Sequence, residues 1–502
     1  MRLIPTSRAG ALLRFAIGAV IVVVFTATTT AVAGLLQFKQ AAKDISATPA
    51  IKHADVTIAN PGNPQTILII GSDHRAGASF SSANTDTMML VRLDPSSYTI
   101  NVLSIPRDLQ VQIPEGGSLL TAKLNSAYSV GGPNLLLKVL HGQVFPALHV
   151  NHIIDINFGG FEALVNAIGC VYTDVDHRYY NNTALTGYSS INIQAGYQKL
   201  CGSDALSFVR FRHTDNDIVR NSRQQDFIRW AKNQFPVSAL LSSRDTLLKI
   251  FGAHTQTDPD LHTVDGLINL FNLVAFSDSH TIKQIPFPAI ILPCTPQQAK
   301  TGNPPCYVTA DSGAEQHAFN MLMTPTVVRP AAAGGGSHGG PATAGGGGPT
   351  SAGASATPPD PADGKAQVAA LGSVGFPIYY PRVIASGSSY EPITPDEYPR
   401  GYQIHDQGGV ARPSYRLVLV LNPTLGQYYG VQGTTWLDPP ILRNPNQTRM
   451  VNGKRLSLYL NGRKLAVVGW RTPRADYWIS NTLTDALSNQ QMIAIAASLT
   501  RA

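Results

Sequence analysis

The spacing of apolar residues changes several times along the chain, and each change predicts a different element. Residues 15–36, FAIGAVIVVVFTATTTAVAGLL, form an uncharged run of 22 positions. At ~1.5 Å rise per residue such a run can cross a hydrocarbon core of ~30 Å, so a transmembrane helix is expected there. A polar stalk at 37–63 follows. β-type runs then begin at 66–70 (TILII), 87–93 (TMMLVRL) and 99–105 (TINVLSI), each closed by Gly, Asp or Pro. Residues 134–140 (NLLLKVL) read as a helix and 152–158 (HIIDINF) as another strand. Helical spacing returns at 160–168, where Phe161, Leu164, Val165 and Ile168 share a face, and again at 204–211 and 222–235. Strands alternating with helices over 64–323 predict an α/β domain whose sheet is covered by helices.

Residues 324–365 lose this patterning to GGGSHGG, GGGG and SATPPDPAD runs, the composition of a flexible tether. Patterning returns over 366–502, with strands at 414–421 (SYRLVLVL) and 456–460 (LSLYL) and a helix expected at 483–499. A smaller C-terminal α+β domain with an accessory role follows from that reading. Tyr428, Tyr429 and Trp436 stand near its turns, where aromatic rings either stack on sugars or fill the core, and the core is the commoner place for them.

Charge and cysteine content decide which side of a membrane these domains occupy. Arg2, Arg8 and Arg14 precede the apolar run. The positive-inside rule then makes 1–14 cytoplasmic and leaves the bulk of the chain extracytoplasmic, on a single-pass protein of the cell membrane. A cleaved signal peptide is the alternative, with Ala31-Val32-Ala33 as its cleavage motif, but its apolar core is ordinarily ~7–15 residues. Cys170, Cys201, Cys294 and Cys306 lack the spacing of a zinc site. In an oxidising compartment the simplest reading is two disulfides paired in sequence order, with the other two connectivities open. Lys and Arg outnumber Asp and Glu by 38 − 31 = 7, and the sequence pI is about 9.1. That balance suits nucleic acid, phospholipid or phosphorylated glycan equally, so charge alone excludes little.

Three motifs carry candidate chemistry. Gly71-Ser72-Asp73-His74-Arg75 follows the first strand, and Asp86 opens the second across a short loop. Two carboxylates at one sheet rim can share a hard divalent cation such as Mg²⁺ or Mn²⁺, although Asp is more often a turn or cap residue. Ile105-Pro106-Arg107-Asp108 ends the third strand and presents Arg107 from a fixed point; the bland alternative is a surface salt bridge between Arg107 and Asp108. Lys123 is ambiguous by itself. The densest run is Phe208-Val209-Arg210-Phe211-Arg212-His213-Thr214-Asp215-Asn216-Asp217, followed by Arg220 and Arg223-Gln224-Gln225. Arg220, Arg223, Gln224 and Phe227 are spaced to share one helical face. Arginine forks suit phosphate oxygens, so this run reads either as an anion site or as a solvated basic helix.

In order, Gly71-Ser72-Asp73, Asp86-Thr87-Met88, Ile105-Pro106-Arg107-Asp108, Lys123-Leu124-Asn125-Ser126-Ala127-Tyr128, Gly131-Gly132, Phe208 to Arg212, Asp215, Asp217, Arg220 and Arg223-Gln224-Gln225 make a longer signature. It resembles that of the LytR-CpsA-Psr family of cell-wall glycopolymer ligases, over roughly residues 64–235. The resemblance implies an α/β/α domain with a central mixed sheet and a hydrophobic pocket for a polyprenyl chain. It also implies transfer of a glycopolymer phosphate from a polyprenyl-pyrophosphate carrier to a peptidoglycan sugar hydroxyl. By motif, Asp73 and Asp86 would hold the metal. Arg107, Arg210, Arg212, Arg220 and Gln224 would bind phosphate oxygens with Lys123 nearby, and Asp86 or Asp217 would orient the attacking hydroxyl. Arg75 and Arg223 complete the substrate-binding candidates. The pyrophosphate is itself the activated donor, so no nucleotide is expected, and the chain has no GxxxxGK[ST] loop. Nor is nucleic acid expected, because the residues before the span leave no room for a helix-turn-helix. A pyrophosphatase and a non-catalytic binding scaffold remain the competing functions.

Overall fold

The computed structural model describes residues 39–46, 48–52, 55–74, 83–182, 190–212, 216–235, 244–277, 279–294, 306–327, 356–357, 361–394 and 399–502. The apolar run at 15–36 and most of the tether lie outside them. No described helix is long and apolar enough to cross a membrane.

Six strands build the central sheet: β1 (Gln65–Ser72), β2 (Thr85–Leu93), β3 (Thr99–Ser104), β4 (His152–Asn157), β5 (Thr255–Thr257) and β6 (Thr281–Ile285). Their order is β5-β4-β1-β2-β3-β6. β1 is antiparallel to β2 but parallel to β4, and β3 is antiparallel to β2 but parallel to β6, so the sheet is mixed. The run Ile67-Leu68-Ile69-Ile70 is apolar throughout because both faces of β1 are covered. Leu68 and Ile70 enter one core with Met88, Leu90, Leu103 and Ile153. Ile67 meets Leu93 and Leu273 on the other face.

Among the described residues the helices around this sheet include α1 (Leu124–Val139), α2 (Phe158–Ala167), α3 (Gly202–Arg210), α4 (Asp217–Gln234), α5 (Arg244–His254), α6 (Val264–Phe276) and α7 (Ser312–Met323). The helix expected at 134–140 is the second half of α1, which is broken at Gly131 and Gly132, the latter at φ +65°. Pro133 then opens the new half, where its missing N–H costs nothing. The cysteines pair in sequence order, Cys170 with Cys201 and Cys294 with Cys306.

The C-terminal residues form an antiparallel eight-stranded sheet around a separate core that includes Tyr415, Leu417, Val431, Val468 and Ile495. The last helix is shorter than its apolar pattern suggests, spanning Asn489–Ser498. Asp485 adopts φ +50°, outside the helical region, and a capping box between Ser488 and Gln491 starts the helix afresh. The aromatic residues considered for sugar stacking are otherwise employed. Tyr429 is fully buried, Tyr428 stacks on His177 at 3.9 Å, and Trp436 packs edge-on against Tyr172 at 4.9 Å. Tyr428 and Trp436 join the two cores, helped by a buried ion pair between Arg416 Nη1 and Asp174 Oδ1 at 3.1 Å.

Candidate active site

The site lies where β1 and β3 end and β2 and α4 begin. Pairing of β1 with β2 jumps from Gly71↔Thr87 to Ser72↔Thr85, which leaves Asp86 as the extra residue of a bulge. Bulges re-aim side chains, and here the extra residue is the carboxylate. Asp73 follows β1 directly. It is exposed, and its Oδ1 accepts from the Asn84 amide at 2.5 Å.

Arg107 leaves the rigid Pro106 corner and donates through Nη1 to Asp86 Oδ1. Arg210 reaches the other oxygen, Nε to Oδ2 at 2.8 Å, with its guanidinium 3.9 Å over the Phe158 ring. One turn away Asp108 accepts from Arg212 Nη2 and lies 3.0 Å from Lys123 Nζ. Arg212 Nε also lies 3.2 Å from Asp217 Oδ1, and the Asp108 amide donates to Asp217 Oδ2 at 3.3 Å. Arg220 Nη2 lies 3.0 Å from Asp217 Oδ1 but off the direction of a hydrogen bond. Five cations thus converge on three buried carboxylates, 5 − 3 = 2 positive charges in excess.

Burial pushes the Asp86 carboxyl up, and Arg107, Arg210 and Arg220 outweigh that effect, so its pKa lies below the ordinary aspartate value. Asp217 behaves alike: burial raises it, and Arg220, Arg212 and Arg107 bring it below the ordinary value. Both stay ionised at neutral pH. The Nε of Arg107 and the Nε and Nη2 of Arg220 are buried without a hydrogen-bond acceptor. Buried unmade hydrogen bonds are costly, and a phosphoryl oxygen is an acceptor that would remove the cost.

The sequence expectations divide at this point. Asp73, Asp86, Arg107, Lys123, Arg210, Arg212, Asp217 and Arg220 gather at one end of the sheet. Arg223 does not. It is fully buried and donates to the carbonyls of Phe208 at 3.0 Å and Phe211 at 2.8 Å, with its guanidinium over Tyr179. These contacts tie Arg223 to the end of α3. Gln224 is also turned inward, Nε2 donating to the Val209 carbonyl at 3.1 Å. Arg75 and Asp215 lie outside the described residues. Replacing Arg223 with methionine removes its donors from the Phe208 and Phe211 carbonyls, of which Phe208 keeps the Phe211 amide, and is expected to lower stability by about 1–3 kcal/mol. Donor KM in the folded fraction should stay unchanged; chemical denaturation and steady-state kinetics check the two halves.

Two groups escaped the sequence reading. Asp108 is buried rather than on the surface; its Oδ1 lies 3.8 Å from Arg107 Nε, and it joins the closer Lys123 to Arg212. Asp155 on β4 is buried, accepts from Ser72 Oγ at 2.7 Å and Tyr128 Oη at 2.6 Å, and is pushed up to about 6 by burial. A lone charge inside the strand HIIDIN was the available signal, and its partners come from β1 and α1.

Fold and site together define a mixed α/β domain with a preassembled cluster of arginines, a lysine and aspartates at one end of its sheet. Residues 25–302 match the model of the LytR_cpsA_psr family, and the chain belongs to that family. Among curated relatives, the polyisoprenyl-teichoic acid–peptidoglycan teichoic acid transferase TagU of Oceanobacillus iheyensis is 32% identical over 210 residues, 40% of this chain and 61% of that protein. TagV of Bacillus subtilis, which bears the same enzyme name, is 29% identical over 167 residues, 33% of this chain and 42% of that protein. The chain thus spans less than two thirds of either relative. The crystal structure of B. subtilis TagV superposes with a TM-score of 0.41 at 22% identity, covering 52% of this chain and 97% of that one.

Proposed function

We propose that this protein is a membrane-anchored phosphotransferase that moves a glycopolymer phosphate from a polyprenyl-pyrophosphate carrier to a peptidoglycan sugar hydroxyl. The observation that carries this reading is the convergence of Arg107, Arg210, Arg212, Arg220 and Lys123 on Asp86, Asp108 and Asp217. The naming of two relatives as transferases between polyisoprenyl-linked polymer and peptidoglycan supports it. The uncharged run at 15–36 supports the anchor.

In the proposed reaction the hydroxyl oxygen forms a bond to the phosphorus nearest the glycopolymer. The bond from that phosphorus to the bridging oxygen breaks, and polyprenyl phosphate leaves with the electron pair. Arg107 and Arg210 are part-exposed and reach outward, so they suit the non-bridging oxygens of the transferred group. Arg220, enclosed behind Asp217, sets the potential of the floor. Asp86, kept ionised, is too weak a base to remove the proton early. It instead accepts the hydroxyl's hydrogen bond and orients the attack, and as the new ester forms the proton passes to a phosphate oxygen of the departing polyprenyl phosphate. Asp86 suits this role better than Asp217, which is walled in by Arg212 and Arg220.

The donor set also fits a divalent cation. Asp73 and Asp86 supply hard oxygens, and Mg²⁺ needs only one or two protein carboxylates beside phosphate and water. Among the described residues no group of three or more His, Cys, Asp or Glu is placed to hold a metal ion. Once bound, Mg²⁺ or Mn²⁺ would neutralise pyrophosphate charge.

The full chain in detergent, given a polyprenyl-pyrophosphate glycan, soluble peptidoglycan oligomers and Mg²⁺, is expected to form covalent product and polyprenyl phosphate in equal amounts. Chelation should slow the reaction at least ~100-fold, reversed by added Mg²⁺. Phosphate release independent of acceptor would replace this reading with a hydrolase, and binding without product with a scaffold.

A further inference from the structure

A second cavity adjoins the arginine cluster from the other side of α4. It is a cleft of about 640 Å³ between the two cores, within the ~300–1,000 Å³ typical of ligand sites. We propose that this interdomain cleft binds the acceptor, a carboxylate-bearing amino-sugar oligosaccharide; the assignment rests on the transfer reading above.

Position is the first argument. Pro106 and Ile218 line the cleft, and each is the immediate neighbour of a site residue, Arg107 and Asp217. Asn221 lines it as well, next to Arg220. A chain lying in the cleft therefore runs toward the phosphate-binding arginines along one wall. A transferase needs such a second approach, because its donor already occupies the arginine cluster.

Chemistry is the second. A pyranose offers an apolar C–H face and hydroxyls at its edge. The cleft has an apolar floor that includes Phe287, Ile285 and Met321, and amide or hydroxyl side chains around it, among them Gln225, Gln284 and Thr484. Asn461, at the tip of the hairpin formed by Lys454–Asn461 and Lys464–Arg471, is only 9% exposed. Its Nδ2 donates to Gln284 Oε1 and to Asp485 Oδ2, the latter at 2.9 Å, which fixes the amide's orientation. Its Oδ1 is buried without a partner among the described residues, and Asn461 is one of the residues that line the cleft. A sugar hydroxyl is a suitable donor for it.

Charge is the third. Lys283, Arg463 and Lys464 stand around the cleft with a single carboxylate, Asp485, which leaves 3 − 1 = 2 positive charges among the lining residues. Burial above all lowers the Lys283 pKa, and crowding by Arg463 lowers it further, while burial and Asp226 push the Asp485 carboxyl up to about 7. Carboxylates on the ligand would relieve that crowding. An isoprenoid tail would match the floor but leave the cations and the Asn461 oxygen unanswered.

Binding is measured on the full chain in detergent with a fluorescent, soluble peptidoglycan tetrasaccharide-peptide, in parallel with polyprenyl phosphate. Arg463→Glu with Lys464→Glu, both at exposed positions, is expected to weaken the glycan at least tenfold. Asn461→Ala should weaken it several-fold, and amidation of the glycan's carboxylates should reproduce the charge reversal. Polyprenyl phosphate affinity should change less than twofold, and an unchanged melting curve confirms folding. Glycan affinity equal to wild type in the charge-reversed chain would overturn the proposal, as would loss of polyprenyl phosphate binding in its place. Turnover is not needed for this readout. Failure of wild-type transfer with the cleft still binding glycan would count against the transfer reading alone.

Discussion

Arg107→Ala is expected to lower kcat for polymer transfer by about 10³ or more, the range over which single arginines act at phosphoryl groups. The reason is geometric as well as electrostatic. Pro106 fixes the start of the side chain, and Arg107 Nη1 is held on Asp86 before substrate arrives, so little ordering remains to be done. Lysine at this position retains the charge but loses the fork, and Arg107→Lys should recover only a small part of the rate. Asp86 loses one of the cations that hold its pKa down, so the variant's activity should also fall at a higher pH than wild type on acidification. A full pH–rate profile of both chains checks this. An Arg107→Ala enzyme within tenfold of wild type would remove Arg107 from the reacting centre.

The second large effect is expected on stability. Arg416 is fully buried and its partner Asp174 nearly so, with their charged groups 3.1 Å apart across the junction of the two cores. Asp174→Ala strands a guanidinium in a dry interior and is expected to cost about 3–5 kcal/mol. Substituting both, Asp174→Leu with Arg416→Met, removes the stranded charge and should recover most of the loss. Denaturant titrations of the wild type, both single variants and the double variant give the coupling directly. A single-variant cost under about 1 kcal/mol would mean that water reaches Arg416 and that the junction is looser than its packing suggests.

The core elements were legible because their periodicity survives the fold. The apolar runs of β1, β2, β3 and β4 and the spacing of α2 and α3 all appear within one or two residues of their expected ends. α4 was the hard case. Its sequence, DIVRNSRQQDFIRWAKNQ, is polar enough to read as a solvated face, yet Arg220, Asn221, Arg223, Gln224, Gln225 and Asp226 are all buried. The helix packs between the two cores, and its polar groups answer polar groups there: Gln225 donates to Ser104, and Asp226 accepts from Gln284. No periodicity reports that kind of burial.

The site was legible as a list and not as an arrangement. Spacing placed Arg220 and Arg223 on one helical face, and both are indeed buried, but they address different neighbours. The carbonyls that capture Arg223 belong to Phe208 and Phe211, whose positions depend on how α3 ends. Asp108 looked like a purely local partner for Arg107 because it is adjacent in sequence; in space it keeps that contact at 3.8 Å but is held more closely by Lys123 and Arg212. The tyrosines and Trp436 show the same limit, since a ring near a turn does not reveal which second surface covers it.

The central claim is that phosphorus itself moves to the acceptor at the arginine cluster. It is tested most directly with a donor whose glycan-proximal phosphate carries radioactive phosphorus, incubated with the full chain, Mg²⁺ and soluble peptidoglycan. The label is predicted to appear in a phosphodiester on the peptidoglycan sugar, and to stay with the lipid in the Arg107→Ala chain. Label released as inorganic phosphate, or as phosphorylated glycan free of peptidoglycan, would contradict the account.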